Sequence, residues 1–112
     1  MTIIDKPINN EQLKLMLGNF FDDMVKGVVD VNRRIIAVDA DLHADLESLL
    51  LQDGSIQTDL WGINIYPELE GEDYLEFDSM INIRPYQDNP GRDVYNPETR
   101  ALISDIVSSL II

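Results

Sequence analysis

Apolar and polar positions recur along this chain at two periods, and the points where the period changes mark its elements. Thr2-Ile3-Ile4 reads as a short strand closed by Pro7. Asn9-Asn10-Glu11-Gln12 then opens a helix, with Asn9 as N-cap and Gln12 three residues on, the spacing of a capping box. Leu13, Met16, Leu17, Phe20 and Met24 follow at helical spacing, and the stripe predicts one buried face despite Gly18 within it. From Met24 the period drops to two. Val25, Gly27, Val29 and Val31 form one face of a predicted strand. Asn32-Arg33 is read as a two-residue turn and Arg34 to Ala40 as the returning strand. Pairing Val31 with Arg34 sets Val29 opposite Ile36 and Gly27 opposite Val38. It also sets Lys26 opposite Asp39, a favourable cross-strand charge pair.

Leu42, Leu46, Leu49 and Leu50 predict a second helix, begun at Asp41 or Ala44 and ended by Gly54. Leu60 to Tyr66 and Tyr74 to Arg84 form a hairpin joined by a polar loop. With Tyr66 against Tyr74, one face carries Trp61, Ile63, Ile65, Leu75, Phe77, Ile81 and Ile83. The other face carries Asn64, Gly62, Glu76, Asp78, Asn82 and Arg84. A slip of one residue would turn the apolar set into water, so the register is strongly specified. Pro85 ends the second strand. Asn96 caps a last helix with Pro97 at its first position and Glu98 in its first turn, and Leu102, Ile103, Ile106, Val107 and Leu110 form its buried stripe. The order is β-α-β-β-α-β-β-α. Tight hairpins imply an α+β fold, a largely antiparallel sheet of about five strands packed against three helices.

Composition then narrows the function. With 112 residues the chain has room for one domain, residues 1–112, with a modest core. Its formal net charge of −13 repels phosphate backbones and anionic bilayers, which sets nucleic-acid and membrane binding aside and favours cationic partners or simple solubility. The absence of cysteine removes disulfides, thiolate metal sites and a cysteine nucleophile. No apolar run approaches the roughly 20 residues of a membrane helix, and the first residues lack the features of a signal peptide, so a cytoplasmic protein is expected.

Two segments could carry chemistry. Asp39, Asp41, His43 and Asp45 alternate, and His43 and Glu47 would share a face of a helix, so His43 and Asp45 are candidate ligands for a divalent metal. The alternation also suggests a calcium loop, but Ala44 stands where glycine is needed and Leu50 where glutamate is needed. Acids at a helix start are equally accounted for by capping. No cofactor is expected beyond such a metal. The second segment is the polar hairpin face, where Asn64, Tyr66, Glu76, Asp78, Asn82 and Arg84 set two carboxylates, two amides and a guanidinium on rigid strands. No nucleophile elbow or phosphate-binding glycine loop is present.

By Leu60-Trp61-Gly62-Ile63-Asn64-Ile65-Tyr66-Pro67 and Phe77-Asp78-Ser79-Met80-Ile81-Asn82-Ile83-Arg84-Pro85, the chain resembles a family of short prokaryotic proteins known only as a domain of unknown function. His43-Ala44-Asp45 and Gly54-Ser55-Ile56-Gln57 fit the same pattern, so the resemblance spans nearly the whole chain. Asp39-Ala40 departs from it where a glycine pair is expected, and Pro90-Gly91 where more polar or basic residues are expected. The resemblance implies no activity, substrate or cofactor. The poverty of catalytic residue types favours a binding or assembly module, a homodimer or a partner-protein unit, over an enzyme. The alternative is a metal-assisted or carboxylate-based hydrolase using His43, Asp45, Glu76 and Asp78.

Overall fold

A computed structural model describes all 112 residues. The elements are β1 (Thr2–Ile4), α1 (Asn10–Lys14), β2 (Val25–Asp30), β3 (Ile35–Val38), α2 (His43–Gln52), β4 (Leu60–Ile65), β5 (Leu75–Glu76) and α3 (Pro97–Leu110). The strands form one antiparallel sheet in the order β1-β3-β2-β4-β5. The α+β class, the element order and the antiparallel sheet are those expected from the pattern.

The central register follows from period-two alternation: Val29 lies opposite Ile36 and Gly27 opposite Val38. The Asp39 N–H donates to the Lys26 carbonyl just beyond β3, as that register requires. The turn differs from the expected two-residue type. It spans Val31 to Arg34, with Arg34 in the left-handed region at φ 55°. The buried Asp30 carboxylate organises it by accepting from the N–H groups of Asn32 and Arg33, a local competition that an aspartate wins readily.

Both sheet faces are covered. α1 and α3 pack on the face of Val25, Val29, Ile36, Val38, Ile63 and Ile65, with Leu13, Ile103, Ile106 and Val107 buried against it. α2 packs on the other face, where Leu46 and Leu50 meet Val28, Ala37 and Leu60. Each fully buried aliphatic side chain contributes roughly 1.5–3 kcal/mol, so these two layers supply most of the drive to fold. Asn96 caps α3 through Oδ1, and Asn9 caps α1 in a complete capping box with Gln12.

Two further expectations are corrected. The first helix stops at Lys14, followed by turns, because Gly18 takes φ +90°, a conformation that breaks the helical run. Met16 and Leu17 still pack on the core, whereas Phe20 is half exposed. Asp39, where a glycine was expected, adopts φ +76°, the left-handed backbone for which glycine is the natural choice and aspartate a tolerated one. The largest difference is in the hairpin. The strand expected from Tyr74 to Arg84 ends at Glu76, and the chain continues through single 3₁₀ turns at Met80–Asn82 and Pro85–Gln87.

The physical reason lies along the outer edge of β4. Only Asn64 and Ile65 pair with β5. Farther along, the Asn82 side chain replaces a strand: its Oδ1 accepts from the Gly62 N–H and its Nδ2 donates to the Gly62 carbonyl, at 2.9 and 3.0 Å. Arg84 donates to the Leu60 and Gln57 carbonyls at 2.6 and 2.7 Å. Ser79 packs over Gly62 so closely that a Cβ there would lie 2.5 Å from it. Asn82 and Arg84 are therefore buried groups that satisfy backbone, not members of a polar face.

Candidate functional site

The part of the polar face that persists is a row across three strands. Lys26 of β2 is opposite Asn64 of β4, and Asn64 is opposite Glu76 of β5. Cross-strand neighbours on one face stand about 5 Å apart, so the register alone brings these groups together. The Asn64 amide donates to Glu76 Oε1 at 2.7 Å, and the Tyr66 hydroxyl donates to the same oxygen at 3.1 Å. Burial and the Glu76 carboxylate push the Tyr66 phenol up to about 12, because the phenolate would sit beside a negative charge and forfeit the bond it donates. Asn64 is almost fully buried, and its Oδ1 has no partner.

Asp78 lies two residues beyond β5 and is engaged by the Arg92 guanidinium. With Tyr66, Glu76, Phe77 and Tyr95, these two side chains line an open basin of about 760 Å³. Across Phe77 a second groove of about 610 Å³ runs between β5 and α3, lined by Tyr74, Leu75, Ala101, Ser104 and Val107. Arg100 borders both, its guanidinium 4.2 Å from the Phe77 ring centroid and paired with Asp93 at 2.6 Å. Stacking and pairing hold it in place.

His43 is the first residue of α2 and donates Nε2–H to the Ile63 carbonyl at 2.8 Å. A carbonyl only accepts, so the proton resides on Nε2 and the neutral ring leaves Nδ1 as its bare nitrogen. Burial depresses the imidazole below its ordinary value, and the Ile63 bond works in the opposite direction. His43 shares a cavity of about 210 Å³ with Lys26, Ser79, Met80 and Arg92. Asp45, its expected companion, is exposed on the first turn of α2. No group of three or more His, Asp or Glu side chains converges as a metal site would require. The structure thus joins Asn64, Tyr66 and Glu76, places Asp78 beside them with His43 within electrostatic reach, and takes Asn82 and Arg84 into the interior.

Sequence reasoning placed Lys26 opposite Asp39 and Glu47 on the face of His43 but assigned neither to the site, and it left Arg92 outside the candidate residues. Lys26 enters through the β2–β4 pairing, whose partners are far apart in the chain. Arg92 sits in the loop after Pro90, which carries no periodic signal. Glu47 is raised above its ordinary value by burial, with the Arg84 charge acting against that shift.

The chain belongs to the DUF5674 family of proteins of unknown function, whose model matches residues 2–110. The resemblance carried by the hairpin and the His43 segment pointed to such a family. No curated protein and no solved structure matches the chain.

Proposed function

We propose that this domain is a small protein-binding module whose contact surface is the β5 side of the molecule and whose fixed point is Glu76. The observation that carries the reading is the shared acceptor: Asn64 and Tyr66 both donate to Oε1 of Glu76, an exposed residue. A surface carboxylate ordinarily gives up side-chain entropy when it engages a partner. Here the two donors have already restricted it, with Oε2 left for a ligand. Tyr66 and Tyr95 offer aromatic faces around the same basin. A carboxylate beside aromatic rings suits an ammonium or guanidinium group. The net charge of −13 adds long-range attraction for a basic partner.

The test is a titration of the isotopically labelled chain with acetylated decalysine, followed by amide chemical shifts. Shifts centred on Tyr66, Glu76, Asp78 and Tyr95, with weaker binding by Glu76→Gln than by the remote Asp5→Asn, support the module. Shifts spread evenly over the acidic surface, with the two variants alike, count against it.

Self-association is the second form of the same reading, and a solution mass of twice the chain at micromolar concentration would favour it. Hydrolysis has one observation on its side, the shared neighbourhood of His43, Ser79 and Arg92 next to Asp78. It ranks below binding because His43 Nε2 is committed to Ile63 and Asp45 stands apart, exposed on α2.

A further inference from the structure

In an antiparallel pair, successive residues turn their N–H and C=O groups alternately toward the partner strand and away from it. The Tyr66 N–H takes the Tyr74 carbonyl at 2.8 Å, so Tyr74 faces β4. Two residues on, Glu76 faces Asn64 in the same manner. Leu75 between them therefore directs its backbone groups outward, and Phe77 follows just past the end of the strand. No turn, loop or side-chain hydrogen bond reaches the backbone of either residue. β5 is the last strand of the sheet, so this outward edge is unpaired.

The two hollows beside that edge differ in chemistry. On the side of Glu76 and Asp78 lies the basin, where these two, Glu72, Asp73 and Asp93 outnumber the cations Arg92 and Arg100 and leave a net negative lining. On the side of α3 lies the more apolar groove, lined by Ala101, Ser104, Val107 and Ile111, while Leu75, Phe77, Glu72 and Arg100 border both hollows. A strand laid along β5 would send every second side chain into the acidic basin and the others into the apolar groove.

We propose that an extended segment of a partner protein, alternating basic and apolar side chains, adds to β5 as a sixth strand. Backbone bonds to Leu75 and Phe77 supply the docking, and the two hollows select the side chains. The proposal rests on the binding-module reading and adds to it the geometry and pattern of the ligand. Charge complementarity identifies the occupant. A second copy of this chain would bring a further −13 to the same edge.

The probe is a capped octapeptide of alternating lysine and valine, added to the labelled full chain. Exchange at the Leu75 and Phe77 amides should slow by about tenfold or more on binding. A peptide N-methylated at its four central amides, and one with glutamate in place of lysine, should each bind about tenfold or more weakly. Peptide binding that shifts Tyr66 and Glu76 but leaves exchange at Leu75 and Phe77 unchanged would overturn strand addition while leaving the module intact. Equal binding of the N-methylated or the glutamate peptide overturns it as well, as does no binding at all. In that last case the decalysine titration decides the module separately. A Leu75 amide already protected without peptide, in a chain of dimeric mass, would replace the partner with a second copy.

Discussion

Arg84 lies flat on Trp61, its guanidinium carbon 4.1 Å from the ring centroid, while its two terminal nitrogens hold the carbonyls of Gln57 and Leu60. A cation with 2% of its surface exposed is thus neutralised by carbonyl dipoles and an aromatic face, with no ion pair to a carboxylate. Burial accordingly pulls the guanidinium below its ordinary value, and Glu47 and Tyr86 oppose that shift. Replacing Arg84 with lysine keeps the charge but loses the planar fork and the stacking. Arg84→Lys should cost about 2–4 kcal/mol of unfolding free energy in urea, and Arg84→Met should cost less than Lys if burial of charge dominates.

Asn82 and Gly62 form a second coupled pair. Asn82→Ala leaves a buried N–H and a buried carbonyl of Gly62 unpaired, an expected loss of about 2–3 kcal/mol. Gly62→Ala forces a methyl group into Ser79 and should cost about 1–3 kcal/mol. Because the close atoms include Ser79 Cβ, Ser79→Gly should restore part of that loss where Ser79→Ala does not. Chemical denaturation of the single and double variants checks this.

His43 makes stability depend on pH. Its folded value is lowered beneath 6.5, so between the two values the unfolded chain binds more protons than the folded one. Stability should therefore be fully present above about 6.5 and fall as pH drops from there through the folded value. Lys26, Arg92 and Asp78 are the charged groups that act on the ring from other elements. His43→Gln should flatten the wild-type fall between about pH 7.5 and pH 5, leaving the carboxylate-driven loss at lower pH. An unchanged slope would count against a buried neutral imidazole.

Tyr66 should ionise late, at about 12. Its folded value is raised, so the stability it contributes is complete below about 10 and lost as pH rises through the folded value. Glu76→Gln should lower the Tyr66 value by removing the adjacent charge. Carbon-labelled tyrosine spectra across the alkaline range would resolve it from Tyr74, which burial also raises.

Asp39 occupies backbone space suited to glycine, and its carboxylate accepts from the Asn19 amide at 3.0 Å on the surface. Asp39→Gly should be neutral or stabilising by up to about 1 kcal/mol, because an exposed hydrogen bond is worth less than the strain relieved. Asp39→Val should destabilise by more than about 1 kcal/mol. Thermal melts of the two variants separate these outcomes.

These residues also show what could be read before the structure. The β2–β3 register was legible from its apolar alternation, although the expected Lys26–Asp39 pair gives way to Asn19 on Asp39 and Phe21 under Lys26, and α3 was legible because its cap, its proline and its stripe agreed. The cluster of Asn64, Tyr66 and Glu76 was legible through the Tyr66–Tyr74 register. The fate of Ser79 to Arg84 was not. Alternating Ile81 and Ile83 with Asn82 and Arg84 fits a strand as well as it fits a coil whose polar side chains cap another strand's edge. Only the position of β4 decides between them. Asp78 illustrates the same limit, since its partner Arg92 comes from a loop without periodicity.

The substitution of side chains for a strand along Leu60 to Gly62 bears on colloidal behaviour. A bare sheet edge templates the growth of cross-β fibrils, and backbone pairing is what propagates them. Asn82 and Arg84 cover those groups with side chains that offer a newcomer no ladder to extend. On this side of the molecule, templating is confined to the short stretch around Leu75 and Phe77, flanked by like charges that oppose stacking of identical copies. Loss of Asn82 or Arg84 should therefore be felt in shelf life and fibril seeding as well as in a melting curve.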